Sequence, residues 1–360
     1  MGSASDKNKI IRTRRRKGSA VTIEDVAREA GVSAMTVSRV INGESVVRDQ
    51  TRALVQQAIE KLNYKPNNAA RSLAAGGATQ VGLLYANPSA AYLGQFLIGA
   101  LEGARRGGSH LTVESCDQEG AEAQGEAARL FARSNIEGIL LPPPLCEAPA
   151  VLAAIEAADI QMVTVAMGRP QPGGINVRID DFAAARAMTR YLLEKGHRRI
   201  GFVRGHPNQT ASEERWRGFK AALEEAGLDA ANAPVEQGYF SYRSGIIAAE
   251  RLLGGADRPT AIFASNDEMA AATVNVAHRH GLSVPADLSV VGFDDTPLAT
   301  MVWPELTTIR QPVAAMAERA LELLIAAVRT ARDGGTPLPV EEVLDFELVE
   351  RKSVAAPPKG

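Results

Sequence analysis

The sequence predicts an α/β chain: a small all-α unit at the N-terminus, then a large body built of parallel sheets. Three observations carry this. From Val21 to Tyr64 apolar residues recur at helical spacing in three short pieces punctuated by turn residues. From Gln80 onward short β-rich runs alternate with helical runs, the pattern of parallel strands joined by right-handed crossovers. Charge divides at the same place: residues 1–75 hold 14 Lys and Arg against 7 Asp and Glu, a net +7, and the remainder holds 26 against 35, a net −9. A basic head on an acidic body makes a polyanion the partner of the head alone.

Taken in order, residues 1–20 carry Lys7, Lys9, Arg12, Arg14, Arg15, Arg16 and Lys17 with almost nothing to bury, and read as a flexible basic arm. Such a run is either a solvated tail or a set of phosphate contacts. A compact domain is expected over 21–65. Thr22, followed three residues later by Asp25, is a capping-box-like start, and Ile23, Val26, Ala27 and Ala30 share one face. Gly31 stops that helix by taking the left-handed conformation. Ser33 caps a second helix, Ala34 to Val40, with Val37 and Val40 inward, and Asn42-Gly43 marks the next turn. A third helix spans Thr51 to Leu62 and turns Leu54, Val55, Ala58, Ile59 and Leu62 to the core. Residues 66–79 form a hinge whose first half reads as one or two helical turns, marginal alone and ordered by contact.

In the body, strands are expected at Val81–Tyr85, Leu111–Glu114, Gly138–Leu141, Met162–Val165, Arg199–Val203, Ala261–Ala264, Ser289–Phe293 and Leu344–Val349. Helices are expected at Tyr92–Arg106, Phe182–Lys195, Glu213–Ala226, Tyr242–Leu253 and Asp267–His280. This much alternation exceeds one comfortable sheet, so two doubly wound lobes are expected, with a ligand cleft between the carboxyl ends of their strands. The division is lobe one at 80–177 and 311–337, lobe two at 178–308 and 338–356.

Composition narrows the class. Hydrophobic residues at 45% and charged residues at 23% are too mixed for a disordered chain. No apolar run reaches membrane length and no apolar stretch follows the basic start, so a cytoplasmic protein without membrane contact is expected. Cys116 and Cys146 lack metal or redox spacing and read as free thiols.

The strongest motif is the run from Thr22 to Gly43, two short capped helices joined by Gly-Val-Ser, the second exposing small and polar side chains. That fits a helix-turn-helix with a recognition helix for the major groove. Here the sequence resembles the lactose-repressor family of bacterial regulators, over essentially residues 21–355. The resemblance implies a DNA-binding helix-turn-helix domain and a two-lobed, doubly wound, periplasmic-binding-protein-like sensor domain.

Roles follow by position. The resemblance implies base-edge contacts from Ala34, Met35 and Arg39. The first two suit a thymine methyl, and the arginine suits guanine O6 and N7. Thr22, Ser33, Thr36, Ser38, Asn42 and Thr51 match phosphate-positioning places; Thr22 and Ser33 serve as caps as well. The run Tyr64-x-Pro66-Asn67-x-x-Ala70-Arg71-Ser72-Leu73 looks like the family's hinge helix. It makes Asn67, Ala70 and Leu73 DNA-contacting, with Leu73 a minor-groove wedge or, alternatively, a packing residue against the sensor.

For the ligand the resemblance implies Asn87, Tyr92, Arg215, Phe240, Asn266, Asp294 and Gln311. An aromatic face with Asp, Asn and Arg suits a polyol. Phe240 is alternatively core, and Asp267 a helix cap. His197 at a helix C-terminus reads as a structural cation. Neither a metal site nor a cofactor is expected. The strand ending Val165-Ala166 lacks the acid found there in some sugar-responsive members, which leaves the ligand open.

The implied activity is a homodimeric, sugar-released repressor of carbohydrate-utilisation genes on operator DNA, not an enzyme. A dimer is preferred because only Arg351–Gly360 follow the last strand, too short and Pro-rich for a coiled coil. Competing readings are a corepressor-responsive regulator of nucleotide metabolism, a sugar-binding transport protein, and an enzyme using Asp294 and Glu213 as paired carboxylates.

Overall fold

The computed structural model describes residues 22–41, 48–62, 78–86, 89–116, 120–170, 172–255 and 257–358. The arm 1–20 and the expected site residues Asn42, Asn67, Ala70, Leu73 and Asn87 lie outside them. The chain divides into two compact units, Met1–Gly77 and Ala78–Gly360.

The first unit contains α1 (Ile23–Ala30), α2 (Ala34–Ile41) and α3 (Asp49–Lys61). Thr22 and Asp25 form a reciprocal capping box, which satisfies two amides that no intrahelical carbonyl can reach. Gly31 follows α1 at φ 67°, where a side chain is disfavoured. Val26, Ala27, Val37, Val40, Val55 and Ala58 are the buried core, contributed by all three helices.

The second unit has two sheets. The first takes β1 (Gln80–Tyr85), β2 (His110–Ser115), β3 (Gly138–Leu141), β4 (Gln161–Val165), β5 (Ile175–Ile179) and β11 (Val340–Leu344) in the order β11-β5-β4-β3-β1-β2. All its pairs are parallel. The helices α4 (Ala90–Gly107), α5 (Ala121–Ala132), α6 (Pro149–Glu156) and α12 (Val313–Arg332) cover it. The second sheet runs β7-β6-β8-β9, from β6 (Ile200–Arg204), β7 (Val235–Gln237), β8 (Ala261–Ala264) and β9 (Ser289–Val291). Bridges from Val291 and Asp294 continue it to β10 (Thr308–Arg310), which pairs antiparallel with β12 (Glu347–Val349). Its helices are α7 (Asp181–Glu194), α8 (Thr210–Glu225), α9 (Tyr242–Leu253), α10 (Asp267–Arg279) and the short α11 (Leu298–Met301). The central strands β3 and β8 are buried along their whole length, as strands covered on both faces must be.

Several boundaries differ from expectation. Residues 338–356 do not all belong to lobe two. β11 pairs residue by residue with β5, Val340 against Ile175, and only β12 joins the second sheet. The expected single strand Leu344–Val349 is therefore two, broken where the chain leaves one sheet edge for the other. The lobe-one limit at 177 also falls inside β5, whose five residues share one ladder. Thr79, assigned to the hinge, is buried, and its carbonyl accepts from His110 N at 2.9 Å. His197 is a structural residue, but not as a cation. Burial lowers its pKa, and the ring spans Thr260 Oγ1 at 2.9 Å, Ser289 Oγ at 3.0 Å and the Ala355 carbonyl at 2.9 Å, pinning the C-terminal segment to β9. Both cysteines are buried, and neither is in a disulfide among the described residues.

Candidate functional site

The order β2-β1-β3 in one lobe and β7-β6-β8 in the other reverses direction at the first strand of each. Such switch points leave a crevice beyond the strands' carboxyl ends. The lining residues sit there in turn. Ser89 and Tyr92 follow β1, Pro143 follows β3 and Ala166 follows β4. On the facing lobe Gln209, Ala211 and Arg215 follow β6, Phe240 follows β7, Asn266 follows β8, and Asp294 follows β9. Gln311 completes the ring where the chain returns from β10 to α12. The space between the walls is about 420 Å³, open solvent included.

Local sequence fixes each side chain. Ser89 caps α4, its hydroxyl accepting from Tyr92 N, and thereby sets the turn that carries Tyr92. Asn266 caps α10: its Oδ1 accepts from Met269 N at 3.0 Å while its Nδ2 donates to the Phe240 carbonyl at 2.9 Å. Phe240 sits at φ 57° and belongs both to the lobe's apolar cluster and to the cleft wall, so the two readings of it coincide. Asp267 is not the cap. Its carboxyl turns inward to accept from Thr296 N and Thr308 Oγ1, both at 2.7 Å, and burial pushes it well above the carboxylate range.

Charge in the cleft is arranged around one arginine. Arg215 donates from Nε to Asp181 Oδ1 at 2.8 Å and from Nη1 to the Ser265 carbonyl at 2.5 Å, with Asp294 Oδ1 at 3.9 Å. Its guanidinium lies 3.6 Å from the centre of the Phe293 ring. Asp294 also accepts from Gln311 Nε2 at 2.7 Å. Burial pushes the Asp294 carboxyl up to about 7, against the opposing pull of Arg215 and Gln311. Burial also raises the Tyr92 hydroxyl. Two buried atoms of this lining have no hydrogen-bond partner among the described residues: Tyr92 OH and Gln311 Oε1. Buried polar atoms left unpaired cost free energy that a hydroxylated ligand recovers.

Six of the expected ligand residues therefore meet in one cleft: Tyr92, Arg215, Phe240, Asn266, Asp294 and Gln311. Ser89, Gln209 and the arginine's buried partner Asp181 were not singled out from sequence. Asp181 is recognisable only as an acid in a helix first turn. Glu213 does not join Asp294. It lies outside the lining and pairs with Arg204 at 2.5 Å, so the two carboxylates of the enzyme reading are not brought together. Among the described residues no cluster of His, Cys, Asp and Glu is arranged to hold a metal.

In the head, α2 turns Val37 and Val40 inward, with Ala34 half-buried against the same core, which leaves Met35, Ser38 and Arg39 on the other side; Met35 is 65% exposed. Ser33 Oγ accepts from Thr36 N at 3.2 Å and lies 2.9 Å from Thr36 Oγ1, a capped start that aims the first turn outward. Thr22 is exposed and Thr51 half-exposed near the start of α3. This is the helix-turn-helix arrangement that presents one helix to a groove.

The comparisons agree with both halves. The family described as "Bacterial regulatory proteins, lacI family" matches residues 22–67, and the "Periplasmic binding protein-like domain" matches residues 189–354. The HTH-type transcriptional repressor PurR of Photobacterium profundum is 33% identical over 334 residues, 92% of this chain and 98% of that protein. The transcriptional regulator CelR in complex with cellobiose superposes at TM-score 0.70 with 30% identity, covering 92% of this chain and 99% of that one. A lac repressor dimer bound to operator and the anti-inducer ONPF gives TM-score 0.69 and 28% identity over 94% and 100% of the two chains. With relatives of this identity aligned along nearly their whole length, the chain belongs to the lacI family of bacterial regulatory proteins and is a ligand-responsive, DNA-binding transcriptional regulator rather than an enzyme.

Proposed function

We propose that this regulator is a homodimeric repressor of carbohydrate-utilisation genes, released from a pseudo-palindromic operator when an uncharged sugar occupies the cleft. The observation that carries the sugar reading is the pair of unpartnered buried atoms, Tyr92 OH and Gln311 Oε1. They face the same space as Asp294, Asn266 and the Phe240 ring. Stacking on ring C–H groups with paired donors and acceptors for hydroxyls is what a polyol requires. That a structural neighbour is a cellobiose complex supports the same reading.

On DNA, Arg39 would engage a guanine edge and Ala34 with Met35 a thymine methyl, while Thr22, Ser33, Thr36, Ser38 and Thr51 position phosphates. Two faces suit a second copy of the chain. On α4, Ile98 and Leu101 are 66% and 58% exposed beside the exposed edge strand β2. In the other lobe Met301 and Trp303 are exposed. A dimer's two heads match a two-fold operator. The cytoplasm, where chromosomal DNA is, is the expected compartment.

The PurR relatives favour a second reading, a corepressor-responsive regulator of nucleotide metabolism. Operator binding titrated with mono- and disaccharides and with purine bases separates the two by sign. The sugar reading expects a neutral sugar to weaken operator binding ~5- to 150-fold, the range of ordinary allosteric coupling. A purine that tightens binding, with no sugar effect, establishes the second reading instead.

A further inference from the structure

The cleft meets the N-terminus of a long helix, and that terminus is already filled. α8 runs from Thr210 to Glu225, and Gln209 and Ala211 at its start both line the cleft. Amides at a helix start have no intrahelical acceptor and lie at the positive end of the helix dipole, the usual seat of a phosphate or carboxylate. Here the Thr210 amide donates to both carboxylate oxygens of Glu147, at 3.0 and 2.9 Å. Glu147 comes from the other lobe, from the single turn Leu145–Glu147 that follows β3. The same rim is closed by Arg169 N donating to Thr210 Oγ1 at 2.9 Å and by Arg169 Nε against Glu214 Oε1 at 2.5 Å. Gly168 fits there because any Cβ would overlap the Thr210 backbone.

The remaining charge points the same way. Among the described residues Arg215 is the only cation lining the cleft, and it is held by Asp181 and the Ser265 carbonyl. The two unpartnered atoms belong to neutral groups, a phenol and an amide.

We propose that Glu147 reserves the effector cleft for uncharged ligands: it fills the anion-binding end of α8 from the opposite lobe, so that a neutral polyhydroxy ligand is accepted and its phosphate ester is rejected. An entering phosphate would meet Asp294, the one acid of the lining, and a helix start whose Thr210 amide Glu147 already holds, with no unheld cation among the lining residues. Displacing Glu147 would leave its partly buried carboxylate without its donors. Burial already raises the Glu147 carboxyl, against the pull of the Thr210 contacts. The inference rests on the cleft being the effector site and not on which sugar fills it.

The test uses the full chain, with melting temperature and calorimetry read for glucose, cellobiose, glucose 6-phosphate and inorganic phosphate at matched ionic strength. Wild type is expected to ignore both phosphates. Glu147→Ala is expected to gain phosphate affinity by about tenfold, the size of a favourable helix-terminus interaction. Glu147→Gln, which keeps an acceptor for the Thr210 amide but removes the charge, should show a smaller gain and serves if the alanine variant fails to fold. The proposal is overturned if wild type binds glucose 6-phosphate at least as tightly as glucose, or if neither variant gains phosphate affinity. A variant gain without any response to neutral sugars sinks the sugar reading and leaves the role of Glu147 standing. A sugar response without a variant gain does the reverse.

Discussion

Asp294 shows how much a single side chain owes to its surroundings. It follows β9 at φ 108°, a backbone conformation that L residues rarely adopt, and is held by its amide donating to the Ile309 carbonyl at 2.8 Å. With its carboxyl pushed up to about 7, the folded state keeps a proton that the unfolded chain has released near pH 4. Between those values the folded form binds more protons, so this group's contribution to stability falls as pH rises, and is flat above the folded value. Asp267 and Asp181, also raised by burial, act with the same sign, and His197, lowered by burial, acts oppositely at acid pH. Asp294→Asn should therefore have a shallower loss of stability from pH 5 to 7 than wild type, by up to about 1.4 kcal/mol per pH unit. Urea unfolding at several pH values reads this, and parallel curves for the two proteins would refute it. Asp294 was recognisable as a site residue because it directly follows a strand, and Arg215 and Asn266 because the family resemblance marks their positions. Asp181 and Glu147 were not, because their partners Arg215 and Thr210 lie 34 and 63 residues away.

Among the elements, what is local was readable. The cap Thr22, the left-handed Gly31 and the limits of α9 depend on residues within one turn, whereas the cap of α10 fell on Asn266 and not on the expected Asp267. β5, the three-residue β7 and the twenty-residue α12 were not assigned beforehand. The strands are short; α12 was passed over although Val313, Met316, Ala317, Ala320, Leu321, Leu324 and Val328 recur at helical spacing on one buried surface. That surface exists because α12 packs tightly on α4. A Cβ on Gly99 would overlap the Ala314 carbonyl, and Gly103 and Gly107 repeat the approach at Glu318 and Ile325. Gly99→Val should force the helices apart and cost about 1–3 kcal/mol, as overpacking commonly does. Chemical denaturation measures it, and an unchanged midpoint would mean that the helices separate freely.

For the molecule as a whole, the apolar stripe of α4, Ile98 and Leu101, is left exposed by the described residues of the second unit. Replacing Ile98 and Leu101 together by Asp should convert the dimer to a monomer in sedimentation and weaken operator binding by more than about tenfold, because two half-sites would then be bound independently. A variant that stays dimeric with full operator affinity would place the interface elsewhere.

The division into a basic helical head and an acidic α/β body, the two-lobed winding and most of the cleft's own residues were legible before any fold was in view. The first two follow from composition and period, which are properties of neighbouring residues, and the cleft residues from the resemblance to the lactose-repressor family. Four features emerged only in three dimensions: β11 completes the first sheet, His197 is a buried pin for the C-terminal segment, Asp181 holds Arg215, and Glu147 of one lobe occupies the helix start of the other. Each of these joins groups far apart in the chain. Their pairing is set by which sheet edge is free, how deeply a charge is buried and where two lobes touch, and no local pattern encodes those.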